Sequence, residues 1–248
     1  MIRAHGLHKT FKTGFWIWRR EVSVLRGFDF EARPGEVTGV LGPNGAGKTT
    51  FFRILCGLEK PCSGEIEVDG INPWRQPEQM RGRIALLPED PGVSQNMAGY
   101  RHLWLFGAMM GMDDAQIRTA LSQADDILYL SAFWARPFSS YSRGQKARIA
   151  LARMRLMPDA SVLIFDEPSN GLDFEAVSRL HLFIRNLADE GKTILVASHI
   201  LADLRHLCDR LVGISGGTAA SHEVLSGWLA AHALSQSQRT PSETPALA

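Results

Sequence analysis

The chain has 248 residues, enough for one α/β domain with a sublobe and a sizeable core. Its 45% hydrophobic and 21% charged content is that of a soluble globular protein, and a formal net charge of +1 excludes the chain-wide basic field that draws nucleic acid or anionic lipid. No apolar stretch nears the roughly 20 residues needed to cross a bilayer, and the three cysteines (Cys56, Cys62, Cys208), odd in number and without C-x-x-C spacing, read as reduced thiols.

Arg3, His5, His8, Lys9 and Lys12 interrupt any apolar N-terminal region, so no signal peptide is expected. Short β-branched or apolar runs predict strands at 2–7 and 22–30. Between them FWIWRR (15–20) reads as an aromatic segment packed on its own domain, with contact to a membrane partner as the alternative. A strand at 36–41 then leads into GPNGAGKT (42–49) and a helix at 48–58. This is G-x-x-x-x-G-K-[ST] in the strand–loop–helix setting that gives it meaning. Glycines let successive N–H groups of Gly42, Pro43, Asn44, Gly45, Ala46, Gly47 and their neighbours curl around phosphate oxygens (proline contributing only its fixed turn), and the helix N-terminus adds its dipole. Lys48 can bridge the outer phosphates, the Thr49 hydroxyl can ligate Mg²⁺, and Thr50 closes the loop.

Strands at 64–69 and 83–87 follow. The second ends in PEDPG, placing Glu89 and Asp90 where a sheet ends; Asp90 reads as turn chemistry before Pro91. Helices are expected at 98–111, 114–130 and 144–157, with no strand between 96 and 140, which reads as a helical insertion. The strand 161–166 ends in Asp166 and Glu167, suited to a metal shell and to polarising an attacking water. Helices at 173–190 and 200–207, strands at 193–198 and 210–215, and a helix at 222–231 complete the series. The strand–turn–helix units at 161–190 and 193–207 predict a parallel sheet, whose carboxyl ends gather ligands. The polar, Pro-bearing end SQSQRTPSETPALA (235–248) reads as disordered.

YSRGQ (141–145), opening the helix GQKARIALARMRL, resembles the LSGGQ signature of ATP-binding-cassette (ABC) ATPases, with Tyr for Leu and Arg for the first Gly. The resemblance runs from about residue 1 to 215. It takes in GPNGAGKTT as the Walker A loop, VLIFDEPSNGLD as Walker B plus D-loop, and Ser198-His199 as the switch histidine. It implies an α/β fold: a P-loop NTPase core with a mostly parallel sheet, an N-terminal antiparallel β subdomain and an inserted helical subdomain at about 96–157. The ABC domain would span 1–232 and the tail 233–248. The resemblance further implies an ATPase using ATP and Mg²⁺, with Glu167, His199 and Lys48 catalytic. Thr49, Asp166 and Glu89 would lie on the metal side, Glu89 standing where most of the family carries the Gln of the Q-loop. As a hard oxygen ligand, Glu89 could serve Mg²⁺ directly or through water and make ATP binding depend more sharply on that ion. Ser142, Arg143, Gly144 and Gln145 would face the γ-phosphate held by a second cassette, itself or a homologue, with Asp173 in the D-loop across a head-to-tail dimer. Phe11 resembles the aromatic that stacks on adenine. Such a chain serves a separate transmembrane permease at the cytoplasmic face of the cell membrane, with part of the apolar helix face at 98–111 bordering a groove for that subunit. The YSRGQ form and the PE at 88–89 resemble exporter-type cassettes. The alternative is a soluble ABC ATPase acting on nucleic acid or ribosomes, but the near-neutral charge gives no reason to expect nucleic acid.

Overall fold

The computed structural model describes residues 1–13, 20–89, 96–220 and 227. The sequence expectations for residues 15–19, Asp90, the helix at 222–231 apart from Gly227, and the tail fall outside these.

The chain runs β1 (Ile2–Thr13), β2 (Arg20–Ala32), β3 (Val37–Leu41), α1 (Lys48–Leu55), β4 (Ser63–Val68), α2 (Pro77–Met80), β5 (Ile84–Leu87) and α3 (Gly99–Met109). It continues through α4 (Asp114–Leu128), a 3-10 turn (Phe138–Ser140), α5 (Arg143–Arg155), β6 (Val162–Asp166), α6 (Phe174–Asp189), β7 (Thr193–Ser198), α7 (Leu201–Arg205), β8 (Arg210–Ser215) and β9 (Thr218–Ala219). Strands β2-β1-β4 form an antiparallel sheet. The second sheet has the order β5-β6-β7-β3-β8-β9, parallel except for the β8–β9 pair.

Strands β3, β6 and β7 are buried along their whole length, because both faces of the parallel sheet are covered. The strand period of two then divides their side chains. Leu163, Phe165, Ile194 and Val196 join one core with α3, α4, α5 and α6. Val162, Ile164, Leu195 and Ala197 join the other, with α1 and the antiparallel sheet. Register lines up the strand ends: Leu41 lies opposite Ser198, Asp166 opposite Ala197, and Leu87 opposite Phe165. Everything that follows these four strands therefore emerges along one edge.

Several boundaries differ from the sequence expectation for local reasons. β1 extends to Thr13 because its polar second half pairs with β2, down to Thr13 opposite Arg20. α1 stops at Leu55 rather than 58, with Gly57 in the left-handed region (φ 70°) and the Leu58 N–H turned back to the Arg53 carbonyl. α4 ends at Leu128 because Tyr129 turns left-handed (φ 48°), and Asp125 accepts from the Ser131 N–H at 2.8 Å. The short α2 and β9 have no counterpart among the expected elements.

A polar tie joins α6, β3 and the start of β8. The Asp209 carboxylate accepts from Arg185 at 2.8 and 2.9 Å and from the Val37 N–H at 2.8 Å. The Arg185 guanidinium, helped by that backbone bond, holds the Asp209 carboxyl below the usual carboxylate range. A depressed folded-state pKa stabilises the fold above the unfolded value of about 3.9 and ceases to do so as pH falls through the folded value. Both side chains are over a third exposed, so the tie contributes about 1 kcal/mol or less. Asp209→Asn should lower stability by that amount at pH 7 and flatten the loss of stability below about pH 4, read by chemical unfolding across pH.

Candidate functional site

At the aligned edge, β3 opens into the glycine-rich loop. Gly45 (φ 79°) and Gly47 (φ 112°) take conformations that side chains resist, and Gly47 caps α1 without any side-chain acceptor. The first N–H groups of α1 are left for a ligand, and no acid stands in its first turn to compete. Gly42 is fixed by packing instead: a Cβ there would lie 2.6 Å from the Ile214 carbonyl oxygen.

Lys48, only 6% exposed, points back across the loop. Its ammonium donates to the Gly42 carbonyl at 2.6 Å and the Pro43 carbonyl at 3.4 Å, and lies 3.1 Å from Glu167 Oε1. Thr49 donates to Asp166 Oδ2 at 2.7 Å. Asp166 Oδ1 is buried without a hydrogen bond, and Glu167 Oε1, also buried, is met by the Lys48 ammonium as an ion pair. Burial, reinforced by the charges of Glu167 and Glu89, pushes the Asp166 carboxyl up. A hydroxyl, the unpartnered Asp166 oxygen and an uncapped helix end make a donor set that fits Mg²⁺ beside phosphates, with the rest of the shell left to phosphate and water. Among the described residues no cluster of three or more His, Cys, Asp or Glu could hold a metal alone.

Glu167 itself stands in the left-handed region (φ 51°), a conformation that costs a non-glycine residue about 1–3 kcal/mol. Its N–H bonds the Ala197 carbonyl at 3.1 Å, and His199 Nδ1 lies 2.9 Å from Oε2. The strand-end histidine is thus the neighbour of the strand-end glutamate. Glu89 lies at this edge, exposed, and its Oε1 accepts from Asn170 Nδ2 at 2.8 Å rather than turning to Thr49.

Ser142 caps α5 in a capping box with Gln145: the Gln145 N–H donates to Ser142 Oγ at 3.3 Å and the Ser142 N–H to Gln145 Oε1 at 3.1 Å. Arg143 and Gly144 follow in the first turn of α5, where Gly144 approaches Ala176 of α6. Asp173 caps α6, accepting from the Ala176 N–H at 2.8 Å. Phe11 lies in β1, half-buried, with the Lys9 ammonium 4.7 Å above its ring and Lys9 held in turn by Glu59 and the Lys60 carbonyl. The loop, Asp166, Glu167, His199 and Glu89 are therefore brought to one edge. Ser142 and Arg143 lie beside the turn that follows Glu167, and Phe11 belongs to the antiparallel sheet.

Residues that motif reading passed over also enter the site. Asp203, on the first turn of α7, accepts from Ser169 Oγ at 2.5 Å and Ser198 Oγ at 3.5 Å, linking the turn after Glu167 to the strand end before His199. Asn170 reads in sequence as a turn residue, and only its contact with Glu89 gives it a role. Burial pushes the Cys56 and Cys208 thiols up to about 12, which removes both as nucleophiles.

A family model described as ABC transporter matches residues 25–170. The chain is 33% identical to the ABC transporter ATP-binding protein NatA of Bacillus subtilis (strain 168), covering 80% of this chain and 81% of that protein. It is 36% identical to the Nod factor export ATP-binding protein I of Paraburkholderia xenovorans (strain LB400), over 79% of this chain but only 64% of that longer relative. Among solved structures, cbiO1 from Clostridium perfringens, part of the ABC transporter complex cbiONQ, superposes with a TM-score of 0.77 at 26% identity, covering 96% of each chain.

The left-handed backbone at Gly47, with Val24 O and Leu25 Cδ2 each only 3.1 Å from where a Cβ would stand, sets a direct test of the cradle. Gly47→Ala should destabilise the fold by about 1–3 kcal/mol and weaken ATP binding, measured by thermal unfolding and nucleotide titration.

Proposed function

The chain belongs to the ABC transporter family, and from that premise we propose that it is the ATP-binding and ATP-hydrolysing subunit that drives a separate membrane permease, in an exporter. The observation that carries the ATPase reading is the convergence of the glycine-rich loop, Lys48, Thr49, Asp166, Glu167 and His199 on one sheet edge.

The triphosphate lies along the loop, its oxygens facing the N–H groups of 44–49 and the N-terminus of α1. Lys48 exchanges its contacts with the Gly42 and Pro43 carbonyls for the outer phosphates. Thr49 and Asp166 would hold Mg²⁺, which would supply charge stabilisation to the phosphates. Once Lys48 has turned to phosphate, the buried Glu167 carboxylate orients a water on the far side of the γ-phosphorus and accepts its proton. The water oxygen bonds to phosphorus as the bond to the bridging oxygen breaks, and ADP leaves with that electron pair. His199 holds the Glu167 carboxylate in place through Oε2. Glu89, fixed by Asn170, adds negative charge near Asp166 and so favours the metal-bound nucleotide.

The capped α5 end, with Ser142, Arg143, Gly144 and Gln145, suits a γ-phosphate bound by a second copy or a homologue. Asp173 would then lie across the dimer, and Phe11 would stack adenine on the ring face that Lys9 leaves open. The export reading rests on the Nod factor export relative and on the YSRGQ and PE forms. A permease partner at the cytoplasmic face fits a chain in which, among the described residues, no helix is long and apolar enough to cross a membrane. The net charge of +1 gives no support to a nucleic-acid role.

Glu167→Gln should retain ATP binding, lose turnover by about two orders of magnitude or more, and accumulate an ATP-bound dimer on size exclusion; wild-type turnover would reject the role given to Glu167. Affinity capture of this variant from detergent-solubilised membranes with ATP should retain a polytopic permease identified by mass spectrometry, and capture of ribosomal or DNA-bound proteins instead would reject the transport reading.

A further inference from the structure

Two of the residues that depart from the family pattern the sequence resembles, Arg143 in the signature and Glu89 in the Q-loop position, reach the same turn. Residues 169–173 follow Glu167 closely, and the turn hangs on it: the Asn170 N–H donates to the Glu167 carbonyl at 3.2 Å, and the Leu172 N–H to the Ser169 carbonyl at 3.1 Å. From one side the Glu89 carboxylate accepts from Asn170 Nδ2 at 2.8 Å. From the other the Arg143 guanidinium lies against Gly171 (φ 69°). A Cβ on Gly171 would stand 2.6 Å from Arg143 Nε and closer still to Cζ and Nη1, so the glycine leaves room that the guanidinium fills. The two anchoring side chains come from the end of β5 and the start of α5, and they act on adjacent residues of the turn.

We propose that Arg143 and Glu89 are positioning residues that clamp the 169–173 turn from its two sides, and through the bond to its carbonyl keep Glu167 in the left-handed backbone from which it meets the attacking water. The proposal rests on the reading of Glu167 as the water-orienting residue. It differs from a role for Glu89 as metal ligand in needing only an acceptor oxygen at position 89, and from a phosphate role for Arg143 in acting within one chain. Its physical basis is that a strained conformation persists only where its surroundings over-determine it. Ser169, bonded to Asp203, holds the near end of the turn, so the clamp adds to an existing anchor at the far end.

Two readouts test it on the full chain. Amide hydrogen exchange over 169–173 in Mg-ATP should quicken in Arg143→Ala and in Glu89→Ala, while Glu89→Gln, which keeps the acceptor, should retain the native rate. Steady-state hydrolysis should fall in kcat by about tenfold in each alanine variant, with any rise in KM for ATP confined to Glu89→Ala, and the double variant should fall far short of the product, because both act on one turn. Gly171→Ala should be damaging in the wild-type chain and milder in the Arg143→Gly background, which gives the methyl room. Native exchange in the alanine variants, failure of Glu89→Gln to retain it, multiplicative losses in the double variant, or losses confined to KM would each overturn the clamp. Turnover by Glu167→Gln would instead overturn the site reading on which it rests, and the exchange result reads the clamp independently of turnover.

Discussion

A nearly buried ammonium and a nearly buried carboxylate, Lys48 and Glu167, meet 3.1 Å apart and join the glycine-rich loop to the end of β6. Each charge is the other's partner there, and a buried ion left without a partner is strongly disfavoured. Their contact holds the glycine-rich loop and Glu167 as one unit. It also sets what a ligand must bring: an anion dense enough to draw Lys48 away and leave the carboxylate free.

That pairing depends on strand register. The loop after β3, the acids after β6 and the histidine after β7 belong to segments more than 30 residues apart, and Leu41 opposite Ser198 with Asp166 opposite Ala197 brings them together. The parallel core fixes this register by burial. A one-residue slip of β6 or β7 would exchange the side chains of the two cores, moving Leu163 and Phe165 from the helical side to the side facing the antiparallel sheet. Packing on both faces thus secures catalytic geometry to within a residue.

Much of this was legible in sequence because it is local. The loop motif needs eight consecutive residues, the buried strands announce themselves as short apolar runs, and the acid pair closes one of them. The caps at Ser142 and Asp173 obey the same short-range rules. What sequence withheld is made through space. Glu89 and Asn170 are 81 residues apart, and nothing in the turn NGL tells that its asparagine will hold a carboxylate. Arg143 reads as a charged substitution in a glycine motif, and its place against Gly171 depends on how α5 docks beside the start of α6. The length of β1 was hidden for a different reason: HKTFKT lacks a continuous apolar run, and cross-strand bonding to β2 keeps it extended.

The placement of the three thiols bears on how the molecule ages. Cys56, at the end of α1, and Cys208, between α7 and β8, are sheltered by packing and by thiol pKa values pushed up to about 12. Cys62 is exposed at the edge of the antiparallel sheet, 3.4 Å from the Thr10 N–H, without that packing. Oxidative wear therefore falls first on a thiol beside the strand that carries Phe11, not on the helix that carries the phosphate cradle. Damage of that kind would touch the antiparallel sheet while leaving intact the glycine-rich loop and the acids at the end of β6.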